Sequence, residues 1–99
     1  MMRVIFTTIA TQELEDAVRY YELEYSGLGH RFKDEVRKAA LRIAEYPQAW
    51  SIERGDVRKC LLHKFPYKLM YSVEEYHILV IAVAHQHRKP DYWVGRDEK

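Results

Sequence analysis

One cysteine, three prolines and four glycines are all that 99 residues contain of the types that staple, stop or loosen a chain. The lone thiol, Cys60, excludes an internal disulfide and a zinc knuckle, since both need further cysteines. It sits mid-strand without an acid or histidine at a recognisable spacing, and reads as a small hydrophobe. Gly27, Gly29, Gly55 and Gly95 are too scattered to build a phosphate-cradling loop. No apolar stretch approaches the roughly 18–20 residues of a membrane helix, and the longest, Ile78 to Ala84, is strand-length. The opening Met1-Met2-Arg3-Val4-Ile5-Phe6 turns polar at Thr7, so no signal peptide is expected and the expected location is cytoplasmic. An excess of one charge is missing too. Sixteen Lys plus Arg face fifteen Asp plus Glu, a formal +1, which excludes a surface that is basic all over but leaves room for a local basic patch.

What is present fits one globular domain over residues 1–99, with 47% hydrophobic and 31% charged residues. Its charge is divided. Residues 1–53 carry seven Lys/Arg and nine Asp/Glu, a net of −2; residues 54–99 carry nine and six, a net of +3. No acid falls between Asp56 and Glu74, nor between His77 and Pro90.

The first half reads as two helices. Thr11 precedes Gln12-Glu13-Leu14 as an expected N-cap, with carboxylates in the first turn where the helix dipole favours them. Leu14, Val18, Tyr21, Tyr25 and Leu28 recur at spacings of three and four, the apolar face of a helix. Gly27-Leu28-Gly29 breaks it. Phe32, Val36, Ala39, Ala40 and Ile43 form a second face, ending before Pro47. Helices joined by so short a link are expected to pack as an antiparallel hairpin.

The remainder reads as strands: Arg3 to Thr8, Val57 to Phe65, Tyr67 to Val73 and His77 to His85, with a tight turn at Glu74-Glu75-Tyr76. Tyr67, Leu69, Tyr71 and Val73 share one parity, as a half-buried strand requires, while His77–His85 reads as a central strand flanked on both sides. The order β-α-α-β-β-β, with the last three strands as an antiparallel meander under the helical hairpin, is an α+β fold.

Several chemistries find little footing. His85 and His87 lie two apart, so a strand would aim both imidazoles one way, yet no third ligand completes a metal motif, and no metal or cofactor is expected. The acids cluster on the first helix as a solvated face. Ser26, Ser51 and Ser72 lie at no nucleophile elbow. The basic and aromatic residues of the second half remain: Arg58, Lys59, His63, Lys64, Lys68, His85, His87, Arg88, Lys89, Tyr92 and Trp93. Cations with rings beside them suit a phosphodiester backbone and a stacked base. Such residues could also cleave RNA through its 2′-hydroxyl without a metal. A merely solubilising charged face would look the same.

Tyr20-Tyr21-Glu22, Gly27-Leu28-Gly29, Arg31-Phe32 and Glu35-Val36 resemble the helical hairpin of the RelE/ParE toxin superfamily. Phe65-Pro66-Tyr67-Lys68-Leu69-Met70-Tyr71, then Ala82-Val83-Ala84-His85, Arg88, Pro90 and Tyr92-Trp93, resemble its meander and C-terminal signature. The resemblance implies the toxin of a type II toxin–antitoxin (plasmid stabilisation) module, neutralised by an acidic, partly disordered antitoxin. ParE-like members inhibit DNA gyrase; RelE-like members cut messenger RNA on the ribosome. By resemblance, Lys59, Lys68, His85, Arg88 and Tyr92 would be catalytic if the chain were RelE-like. Arg58, His63, Lys64, His87, Lys89 and Trp93 are expected to contact nucleic acid or another target on either reading. The RelE-like pattern is broken here by Leu61 at a lysine position and Gln86 at the arginine position, unless Arg88 substitutes. The ParE-like branch is the expected one. The alternatives are a RelE-like endoribonuclease or an inactive toxin fold that only binds its antitoxin.

Overall fold

The computed structural model describes residues 1–96. Its elements are β1 (Arg3–Phe6), α1 (Thr8–Glu24), α2 (Leu28–Glu45), β2 (Ile52–Arg54), β3 (Val57–Leu61), β4 (Tyr67–Val73) and β5 (His77–His85). The α+β order holds, and the five strands form one sheet in the order β1-β5-β4-β3-β2. The meander β3-β4-β5 is antiparallel, and β1 runs parallel to β5, with Val4 opposite Ile78 and Phe6 opposite Val80. The helical hairpin is the connection that permits this, since parallel neighbours need a long crossover. Thus β5 is an interior strand, flanked by β4 along its length and by β1 from His77 to Val80.

The first helix begins earlier than its sequence pattern suggests. Thr7, not Thr11, is the N-cap: its hydroxyl accepts from the Ala10 N–H at 3.1 Å, and its own N–H donates to Val80 O at 3.0 Å. The chain therefore turns straight from sheet into helix, and Thr8 belongs to α1. Ala10 and Ala17 are buried, with Leu14, Val18 and Tyr21 packed beside them. Tyr25 is the C-cap, 68% exposed, and Leu28 opens α2, so neither extends the apolar face of α1. Gly27 makes the turn at φ 90°. Gly29 is different: it lies inside α2, where a Cβ would sit 2.4 Å from Val18 O. Both N–H groups are collected by Glu22, at 2.8 Å from Gly27 and 3.0 Å from Gly29. Phe32, Val36, Ala39 and Ile43 face the sheet as their spacing requires, and α2 ends at Glu45 ahead of Pro47.

The strand limits also shift. β3 stops at Leu61 rather than Phe65, because Lys64 adopts φ 71° and the Leu62 and Tyr67 N–H groups bond within the loop, to Tyr67 O and Phe65 O. A short strand unread in the sequence, β2, pairs with β3 around Gly55 at φ 57°. Between β4 and β5 the register jumps: Met70 faces Ala82 but Tyr71 faces Val80. Ile81 is the extra residue of a bulge. The bulge reverses the parity of β5, so Ile78, Val80 and Val83 join the core under the helices while Ile81 and Ala82 both face away. That is why the segment reads as a continuous apolar run. On β4, Met70 and Ser72 are buried as completely as Leu69 and Tyr71, so the strand is covered on both faces.

Candidate functional site: the basic strands and the C-terminal strap

The cover on the second sheet face is the segment after β5. Trp93, only 4% exposed, packs on Val57, Met70, Ile81 and Ala82 as a second core. Tyr92 and Arg96 fasten this strap to α1. Glu13 Oε2 accepts from the Tyr92 hydroxyl at 2.8 Å, and Oε1 accepts from Arg96 Nη1 and the Val83 N–H, both at 3.0 Å. Arg96 Nη1 also donates to Ile81 O at 3.2 Å. β1 ends opposite Val80, so Ile81 and Val83 have no strand on that side. Glu13 and Arg96 thus satisfy the edge groups that a longer β1 would have paired. Burial raises the Tyr92 pKa, and the Glu13 hydrogen bond and charge raise it further, against the pull of Arg96 and Arg88. Arg88 lies with its guanidinium carbon 4.1 Å from the Tyr92 ring centroid, and Arg96 4.8 Å away.

The basic residues singled out in the sequence fall into separate groups. Lys59 and Lys68 share the face that carries Met70 and the strap, because Lys59 stands opposite Met70 and Lys68 opposite Leu61. Lys59 Nζ is 3.1 Å from Glu53 Oε1. Arg58, next in the strand, points to the opposite side. It donates to Trp50 O at 2.6 Å and Gln48 O at 3.2 Å, while the Tyr71 hydroxyl donates to Pro47 O at 2.6 Å. These two side chains pin the loop between α2 and β2.

His85 faces the helix side, its ring 5.2 Å from that of Tyr67, and its Nδ1 accepts from the His87 N–H at 3.0 Å. A cleft of 290 Å³ brings His85 and Arg88 together with Glu13, Asp16, Tyr20 and Tyr67. Lys64 is exposed, 4.0 Å from the buried Glu35 carboxylate, and His63 and Lys89 are exposed as well. Trp93, read as a ring for the target, spends its surface inside the second core instead. Cys60 is buried, and burial pushes its thiol pKa up, against the opposing charge of Arg42. Among the described residues no group of three His, Cys, Asp or Glu could hold a metal ion, and no helix is long and apolar enough to cross a membrane.

The arrangement therefore splits the candidate set. Two lysines occupy one sheet face, a histidine and an arginine a cleft on the other, and the tyrosine hydroxyl is committed to Glu13. Sequence reasoning missed Glu13 and Arg96 as the organising pair. They lie 83 residues apart, and Glu13, expected in the first turn behind a Thr11 cap, stands in the second turn behind Thr7, so its role is not the dipole contact that its sequence position suggests.

Residues 4–90 match the family described as ParE toxin of type II toxin–antitoxin system, parDE. Among solved structures, a chain of "Chromosomal ParDE TA system from P. aeruginosa" is similar, with a TM-score of 0.65, 16% identity, and coverage of 86% of this chain and 96% of that one. That identity speaks for the fold alone. No curated protein sequence matches the chain. With the family match spanning β1 through β5 and the loop after it, the chain belongs to the ParE toxin family of type II toxin–antitoxin systems.

Proposed function

We propose that the chain arrests bacterial growth in the ParE manner, by inhibiting DNA gyrase, and that it does so as a binding protein. The observation that carries this reading is the division of the RelE-like set. Metal-free cleavage of RNA needs a base for the 2′-hydroxyl, cations at the phosphate and an acid for the leaving oxygen, all within reach of one phosphodiester. Here Lys59 and Lys68 lie across the sheet from His85 and Arg88. The Tyr92 hydroxyl, with its raised pKa, donates to Glu13. The expected result is loss of supercoiling and accumulation of gyrase cleavage complexes when the purified full chain is added to gyrase and DNA. Intact supercoiling at saturating chain would overturn the reading.

One observation favours the RelE-like alternative, an endoribonuclease acting on ribosome-bound message: His85 and Arg88 do share a cleft. On that reading, growth arrest would come with cut messages and be lost in Arg88→Ala. Under either reading, and for an inactive fold, the partner is a cognate antitoxin in the cytoplasm. An acidic, partly disordered segment of it would fold as it binds the basic half of the chain.

A further inference from the structure

A second cavity, of 310 Å³, adjoins the His85–Arg88 cleft and shares Tyr20, Tyr67 and His85 with it; Tyr21, Glu24 and Leu28 complete its walls. Together they form a trough between the C-terminal half of α1 and the ends of β4 and β5. Three features favour a positive charge at its α1 end. The last carbonyls of α1 present the negative end of the helix dipole, and no basic residue stands in the last turn, whereas α2 ends with Arg42 in that place. Glu24 is exposed beside them and, among the described residues, has no hydrogen-bond or ion-pair partner. The rings of Tyr20, 57% exposed, and of Tyr67 supply π faces. They are held by edge contacts at 5.2 Å, Tyr20 to Tyr21 and Tyr67 to His85.

The trough's other charges are already matched. Glu13 holds Arg96, and Asp16 lies 3.3 Å from Arg19. Arg88 is drawn over Tyr92 at the far end. What remains at the α1 end is an anionic, aromatic pocket whose described lining includes no lysine or arginine.

We propose that this end of the trough is a docking site for an arginine side chain of a protein partner. A guanidinium fits better than an ammonium, because it stacks flat on tyrosine rings while its edge forks onto a carboxylate. Phosphate groups and acidic side chains would meet Glu24 and the helix C-terminus and be repelled. The site stands independently of the gyrase reading, since it can be tested on the full chain alone.

Titration with N-acetyl-arginine methylamide, followed by NMR, is expected to move the ring signals of Tyr20, Tyr67 and His85 saturably. Glu24→Gln and Tyr20→Ala should each weaken binding about fivefold, the factor expected for one exposed cation–π or charge contact. The neutral N-acetyl-norleucine methylamide should leave the rings unmoved. Equal shifts from the norleucine compound, or full affinity in a Glu24→Gln variant with unaltered thermal unfolding, would overturn the proposal.

Discussion

Glu13 offers the sharpest test of how this fold is closed. Its carboxylate accepts three hydrogen bonds, from Val83, Tyr92 and Arg96, and draws together α1, the central strand and the C-terminal strap. Glu13→Ala removes all three and leaves the Val83 N–H at a strand edge without a protein acceptor. A hydrogen bond to a charged group nets roughly 1.5–3 kcal/mol, and orphaning a buried donor costs about 1–3 kcal/mol. The pair is not sealed, with the Arg96 and Glu13 side chains 18% and 17% exposed, so water can reach what the substitution uncovers. Three such bonds and one orphaned donor come to about 5–6 kcal/mol even at the low end, and water that re-solvates the uncovered groups brings the expected loss below that, to about 3–4 kcal/mol. That is a large share of the ~5–15 kcal/mol that holds a domain folded. At about 4–8 °C per kcal/mol for this size, the melting temperature should fall by roughly 15–25 °C. Glu13→Gln, which keeps an acceptor but loses the charge, should cost about half as much. Thermal unfolding of the parent, Glu13→Ala, Arg96→Ala and the double variant gives the coupling, expected at about 1–2 kcal/mol. A Glu13→Ala protein within about 1 kcal/mol of the parent, or strictly additive variants, would refute the account of the strap.

Two further outcomes follow from the same packing. Gly29→Ala places a Cβ 2.4 Å from Val18 O, and since backbone cannot yield as a side-chain tip does, the helices must separate, at about 2–3 kcal/mol in urea unfolding. Gly27→Ala meets nothing within 4 Å and carries only the strain of φ 90°, about 1 kcal/mol, so a Gly29→Ala protein no less stable than Gly27→Ala would contradict this. The phenols predict alkaline sensitivity: burial pushes the Tyr71 pKa from 10.0 up to about 12, and Tyr92 is raised as well. Because both are raised in the folded state, their stabilisation is complete below pH 10.0 and is lost as pH climbs toward about 12, some 2–3 kcal/mol from Tyr71 alone. Urea midpoints that stay level across that range, or that decline equally in Tyr71→Phe, would count against it.

The sequence by itself determined the elements whose signal is local. The two helical faces apart from Tyr25 and Leu28, the break at Gly27, the stop before Pro47 and the bounds of β5 all follow from spacing and from local backbone chemistry. It erred where a boundary depended on distant partners. Thr7 became the cap because Val80, on the neighbouring strand but 73 positions along the chain, takes its N–H, and β3 ended early because the Lys64 loop bonds on itself. The charge split was equally legible, yet it could not say which basic side chains share a face. A bulge of one residue at Ile81 changes the side that everything after it occupies, and no single-sequence pattern marks it. Only the tertiary structure decided that Arg58 pins a loop, that Trp93 fills a second core, and that Tyr92 answers to Glu13. The last of these joins residues 79 positions apart, and the energy of all three exists only once the sheet has brought their partners together.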